Sequence, residues 1–171
     1  AVLTAPRDPD RLLCDIAEMR AKMARAQGAP SPWSMKHRRG GLVDAEFIAQ
    51  YLVLRHAHAH PGLVSANAGE VFRRAAEAGL LDPEAAADLA EAVALWRRLQ
   101  MMLRLTGVGG FDEDNASPAL KALLAKIGGC VDFAALKERI AALSERVYGH
   151  FQALIALPAE RLGMSSPGEN A

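Results

Sequence analysis

The sequence has 171 residues and a mass of 18.3 kDa, and its 20 Lys and Arg are balanced by 20 Asp and Glu. With 51% hydrophobic residues the chain can build a core, and zero net charge argues against a charged disordered polymer and a dedicated nucleic-acid binder. No run of about 18 apolar residues or secretory leader stands in it, and Cys14 and Cys130 lack the spacing of a zinc site or a disulfide framework, so a reduced cytoplasmic protein without a membrane span is expected.

Ala and Leu contribute 34 and 22 residues against 16 for Val, Ile and Thr together, which selects helix over strand. About six helices follow in chain order. The first is expected over residues 8–27: Asp8 caps it, Pro9 suits the first helical position, and Leu12, Ile16, Met19 and Met23 recur at helical spacing. After a polar stretch the second covers about 41–59 and is apolar on nearly every side, as a central helix would be. A third starts at Asn67 with Glu70 in a capping-box position and stops at Gly79. Asp82-Pro83-Glu84 opens a long fourth, with Leu89, Val93, Trp96 and Leu103 facing inward and Gly107 closing it. Ser117-Pro118 opens a fifth carrying Leu120, Leu123, Leu124 and Ile127. The last begins near Asp132, with Leu136, Ile140, Leu143, Val147, Phe151 and Leu154 on one face, and Pro158 limits it. Short connections between such helices give an all-α bundle, read as one helical domain over 1–162 with a flexible polar tail over 163–171.

Chemistry concentrates in residues 33–50. Lys36, His37, Arg38 and Arg39 precede Gly40-Gly41 and a helix start, where backbone N–H groups, the helix dipole and the cations would suit a phosphate or carboxylate. An alternative reading is structural: the glycines serve a turn, and Asp44 and Glu46 complement the dipole and pair with Lys36, Arg38 or Arg20. Glu46 and Gln50 lie four apart on one face, and Arg20 is the partner expected for them. His56 and His60 have the spacing of helical zinc ligands but no local third ligand, so no metal site is assigned. Gly109-Gly110 followed by Asp112 and Asp114 looks like a two-metal nucleotidyltransferase turn, yet the acids follow the glycines too closely and lead into a helix. No catalytic residue is assigned.

The segment resembles glutamine synthetase adenylyltransferases, whose pattern is approximately Asp-x-Lys-x-x-x-Gly-Gly-Leu-x-Asp-(Ile/Val)-Glu-Phe-x-x-Gln. Lys36, Gly40, Gly41, Leu42, Asp44, Glu46, Phe47 and Gln50 match it in register, and residues 15–20 and 51–63 are also similar to the family's C-terminal half. Ser34 stands where the family has Asp, and Ala45 where it has Ile or Val. The resemblance implies the helical domain that follows the C-terminal, adenylylating nucleotidyltransferase domain. Such enzymes use Mg and ATP to adenylylate glutamine synthetase, also remove the adenylyl group, and answer to the nitrogen-regulatory protein PII and glutamine. The upstream nucleotidyltransferase domain would hold the metal-binding acids, so this chain alone would be catalytically silent and bind no cofactor. On this reading Lys36, Arg38, Arg39, Gly40 and Gly41 face the active-site cleft and contact nucleotide or target, Asp44, Glu46 and Gln50 fix the loop against the first helix, and Arg20 and Phe47 are structural residues of the motif. A PII uridylyltransferase, which shares this helical domain type, and a non-catalytic interaction module remain alternatives.

Overall fold

The computed structural model describes residues 3–27, 30–105 and 111–164, and among them there is no strand. Among these residues seven α-helices form: α1 (Pro9–Gln27), α2 (Leu42–His56), α3 (Ala68–Glu77), α4 (Pro83–Leu105), α5 (Pro118–Ile127), α6 (Phe133–Phe151) and α7 (Leu157–Met164). A π-helical turn, Gln152–Ala156, joins α6 to α7 in one rod, so six rods make up the all-α bundle.

The starts obey side-chain chemistry. Asp8 accepts the backbone N–H groups of Asp10 and Arg11, Ser117 accepts that of Leu120 and Asp132 that of Ala135. Asn67 caps α3 by accepting from Gly69 N–H, but the expected capping box does not close. The Glu70 carboxylate instead takes Arg73 and Arg74 on the following turn, and Asn67 N–H donates to Ser65 Oγ.

α2 is the centre of the bundle: ten of its fifteen residues are buried, and it packs on α1, α3, α4 and α6. Trp96, Leu95 and Leu99 of α4, Ile48 and Leu52 of α2, Phe72 of α3 and Leu136 and Leu143 of α6 are fully buried around it.

Other expectations change as well. Met19 is 58% exposed, because α1 turns Leu12, Leu13, Ile16 and Arg20 inward so that Arg20 reaches α2. α5 packs chiefly on α4 and α6, and it buries Leu124 and Ala125 while Leu123 is exposed; on α4, Leu103 is only partly buried. Pro158 does not end the last helix. The preceding turn widens, with Leu157 N–H donating to the Gln152 carbonyl five residues back, and this wide turn leads the chain past a residue with no N–H to donate. The helix continues to Met164; Gly107 and the remaining tail lie outside the described residues.

Candidate functional site: the basic loop and the start of the second helix

The loop before α2 is anchored at both ends. Trp33 stacks on Phe133 (centroids 5.1 Å apart), meets Phe111 edge-on (4.8 Å), and donates its indole N–H to Glu113 at 3.1 Å. Lys137 also binds Glu113, and with Trp33 it holds that carboxyl below its ordinary range. Met35 is fully buried. The Ser34 hydroxyl accepts from His37 N–H at 3.4 Å and closes the turn as a weak acceptor.

At the helix start the backbone donors are already bonded inside the protein. Gly40 N–H donates to Asp44 Oδ2 (2.7 Å), Gly41 to the Arg38 carbonyl (2.9 Å), Leu42 to the Met35 carbonyl (2.9 Å) and Val43 to the Lys36 carbonyl (3.1 Å). The Asp44 carboxylate, 1% exposed, thus stands where an external anion was expected. Gly40 and Gly41 are buried and offer no surface to a ligand. Gly40 has φ +68°, and a Cβ there would lie 1.8 Å from the Ser144 carbonyl oxygen of α6; one on Gly41 would lie 2.7 Å from the Met35 oxygen. Trp96 Nε1 donates to the Gly40 carbonyl at 3.3 Å. The glycines therefore seat the loop on α4 and α6, as the structural reading holds, and an anion must be met by side chains.

Arg20 reaches across from α1 and donates from Nε to Asp44 Oδ1 at 2.5 Å. It does not serve Glu46 or Gln50, because Asp44 faces α1 whereas those two residues face the α3 and α4 side. Glu46 is half-buried with Arg97 of α4 at 3.9 Å, and Gln50 is exposed. Phe47 is core. Of the residues expected to fix the loop against α1, only Asp44 and Arg20 do so.

The four basic residues take different places. Lys36 is exposed. Arg38 is half-buried with its guanidinium 5.9 Å from the centre of the Trp96 ring, donates to the Pro32 carbonyl at 2.7 Å and has Nε buried without a partner; burial lowers its pKa. Arg39 lies 3.8 Å over the Tyr148 ring with Glu145 3.8 Å away. Burial, then Lys36 and Arg20, push His37 below its ordinary value. His37 lines two clefts, the second of them together with Lys36. One, of about 360 Å³, includes Arg20, Arg39 and Tyr148; the other, of about 500 Å³, includes Gln100, Arg104 and Phe111.

Elsewhere, no three His, Cys, Asp or Glu side chains among the described residues come together as a metal site. Asp112 caps its own loop through Asp114 N–H and Asn115, which keeps it from serving with Asp114 as an open pair. Sequence reasoning missed Asp88, buried on α4, which binds Arg146 at 2.5 Å and His150 at 3.0 Å on α6. An acid at the edge of the Ala85, Leu89, Ala92 stripe was the available signal.

The family model described as GlnD PII-uridylyltransferase matches residues 11–155. The chain belongs to this family. It is also similar to proteins named bifunctional glutamine synthetase adenylyltransferase/adenylyl-removing enzyme. Identity is 43% over 160 residues to that of Xanthobacter autotrophicus, covering 94% of this chain and 16% of that protein. It is 35% over 154 residues for Bradyrhizobium diazoefficiens, covering 90% and 16%. For Rhodopseudomonas palustris strain TIE-1 it is 37% over 155 residues, covering 91% and 16%. The chain thus spans about one sixth of the length of these relatives, and the family match takes in the basic loop, α2 and the greater part of the bundle. No described helix is long and apolar enough to cross a membrane.

Proposed function

We propose that this chain is the helical domain of a glutamine synthetase adenylyltransferase, that it supports adenylyl transfer from ATP to glutamine synthetase, and that its Lys36 edge faces the neighbouring catalytic domain or the target. The observation that carries the reading is the 43% identity over 94% of the chain to an enzyme of that name. The placement of the motif supports it: Gly40, Gly41, Leu42, Asp44 and Phe47 are buried, while Lys36 is left at the surface. Magnesium, ATP and the catalytic acids belong to the adjoining nucleotidyltransferase domain. The described residues offer no acid cluster fit to hold the metal, so no chemical step is assigned to them. PII and glutamine act as regulators of the whole cytoplasmic enzyme in this reading.

The family description favours a second reading, a PII uridylyltransferase. One experiment separates them. The matched segment of the Xanthobacter autotrophicus enzyme is replaced by this chain, and glutamine synthetase and PII are each incubated with the chimera, Mg-ATP and Mg-UTP. Adenylyl added to glutamine synthetase supports the proposal. A correctly folded chimera that adds none overturns it, and the same exchange in a uridylyltransferase then tests the second reading.

A further inference from the structure

We propose that the cleft between α1, the 33–41 loop and the end of α6 binds an organic phosphate, with the phosphate among Arg20, His37 and Arg39 and the organic part on Met23, Ala24 and Phe151. The site does not depend on the adenylyltransferase reading.

Charge is the first argument. Arg20, His37 and Arg39 line the cleft, and Asp44 is the one acid among the described residues lining it. That carboxylate is buried and engaged on both oxygens, by Arg20 and by Gly40 N–H, so it orients Arg20 without presenting a negative face. It takes the inner Nε of Arg20 and leaves the terminal guanidinium nitrogens outside that bond. Glu145 lies 3.8 Å from Arg39, but both side chains are well exposed, so water screens the pair and a phosphate dianion competes with it readily.

Preorganisation is the second. The Tyr148 ring supports the Arg39 guanidinium at 3.8 Å, and Asp44 fixes Arg20, so both arginines are placed before a ligand arrives. Shape is the third. The volume of about 360 Å³ is at the small end of ligand sites, and Met23, Ala24, Val43 and Phe151 give it an apolar floor that inorganic phosphate alone would leave wet.

His37 supplies an independent readout. Lys36 and Arg38 flank it in the loop, Arg39 lines its cleft with Arg20 and Asp44 from α1 and α2 and Tyr148 from α6, and Arg104 of α4 lines the cleft on its other side. In that cationic setting a bound dianion raises the imidazole pKa.

The test titrates adenosine monophosphate, adenosine and inorganic phosphate into the chain at constant ionic strength, following the His37 imidazole by NMR. The nucleotide is expected to bind about tenfold more tightly than either half alone and to raise the His37 pKa; Arg39→Gln, checked for unchanged helicity, weakens it about tenfold. Met23→Ala weakens the nucleotide and leaves inorganic phosphate unchanged. Nucleotide binding no tighter than that of phosphate or adenosine, binding indifferent to Arg39→Gln, or shifts reproduced by potassium chloride would overturn the site.

Discussion

The Ser144 carbonyl oxygen of α6 lies 1.8 Å from where a Cβ on residue 40 would stand, so the loop ahead of α2 touches α6 backbone to backbone. Gly40 also has φ +68°. Gly40→Ala therefore meets two penalties, a left-handed backbone and an overlap with a helix that cannot move alone, and a loss of about 4 kcal/mol is expected by urea unfolding. Gly79 has φ +70° but open space around it, and Gly79→Ala should cost only about 1 kcal/mol. Equal losses would show that the Ser144 contact contributes nothing.

The Arg20 to Asp44 pair is buried on both sides, with side chains 14% and 1% exposed. Asp44→Ala strands both the guanidinium and Gly40 N–H, and about 3–5 kcal/mol of stability should be lost. Arg20→Ala leaves the carboxylate with one donor. The double variant is expected to lose less than the sum of the two, and a double-mutant cycle by chemical denaturation checks this.

Glu70 should remain ionised in strong acid. Hydrogen bonds from Arg73 and Arg74 bring its carboxyl down from 4.5 to about 2. Because the folded value is the lower one, its contribution is present above about pH 4.5 and is lost as the pH falls towards 2. Carboxyl carbon NMR should find its midpoint near 2, and Arg73→Gln with Arg74→Gln should bring it back towards 4.5.

Two histidines add to the same loss on acidification, at a higher pH. Burial pushes both His37 and His56 below 6.5, with Lys36 and Arg20 adding to the effect at His37 and Arg55 at His56. The unfolded chain takes up these protons first, so stability should fall as the pH drops through 6.5 and level off once the folded imidazoles are protonated. Unfolding measured at about pH 7.5 and about pH 5.5 should show this slope, and His37→Gln and His56→Gln should each remove part of it.

The fold was legible because its signals are local. Asp8, Ser117 and Asp132 cap the helices they precede, and the spacing of Leu136, Ile140, Leu143 and Val147 marks the buried side of α6. The site was less so, because its determinants are tertiary. Nothing near Gly40 announces that Ser144, over a hundred residues later, leaves no room for a side chain. α2 is buried on several faces, so its apolar pattern could not tell that Asp44 looks to α1 while Glu46 looks to Arg97. Pro158 is the remaining case. A π-helical turn ahead of a proline has no simple spacing, and proline chemistry alone reads as a stop.

Lys36 marks the edge of the bundle that serves adenylyl transfer in the proposed function, and it is tested directly. The measurement is a time course of the intact mass of glutamine synthetase with Mg-ATP and the chimera that carries this chain in place of the matched Xanthobacter autotrophicus segment, with Lys36 or with Lys36→Ala. Lys36 is exposed, so the substitution should leave helicity and unfolding unchanged. The predicted result is a gain of one adenylyl group per modified subunit, formed about tenfold more slowly with Lys36→Ala. Equal rates for the two chimeras would contradict the claim that this edge of the bundle serves adenylyl transfer.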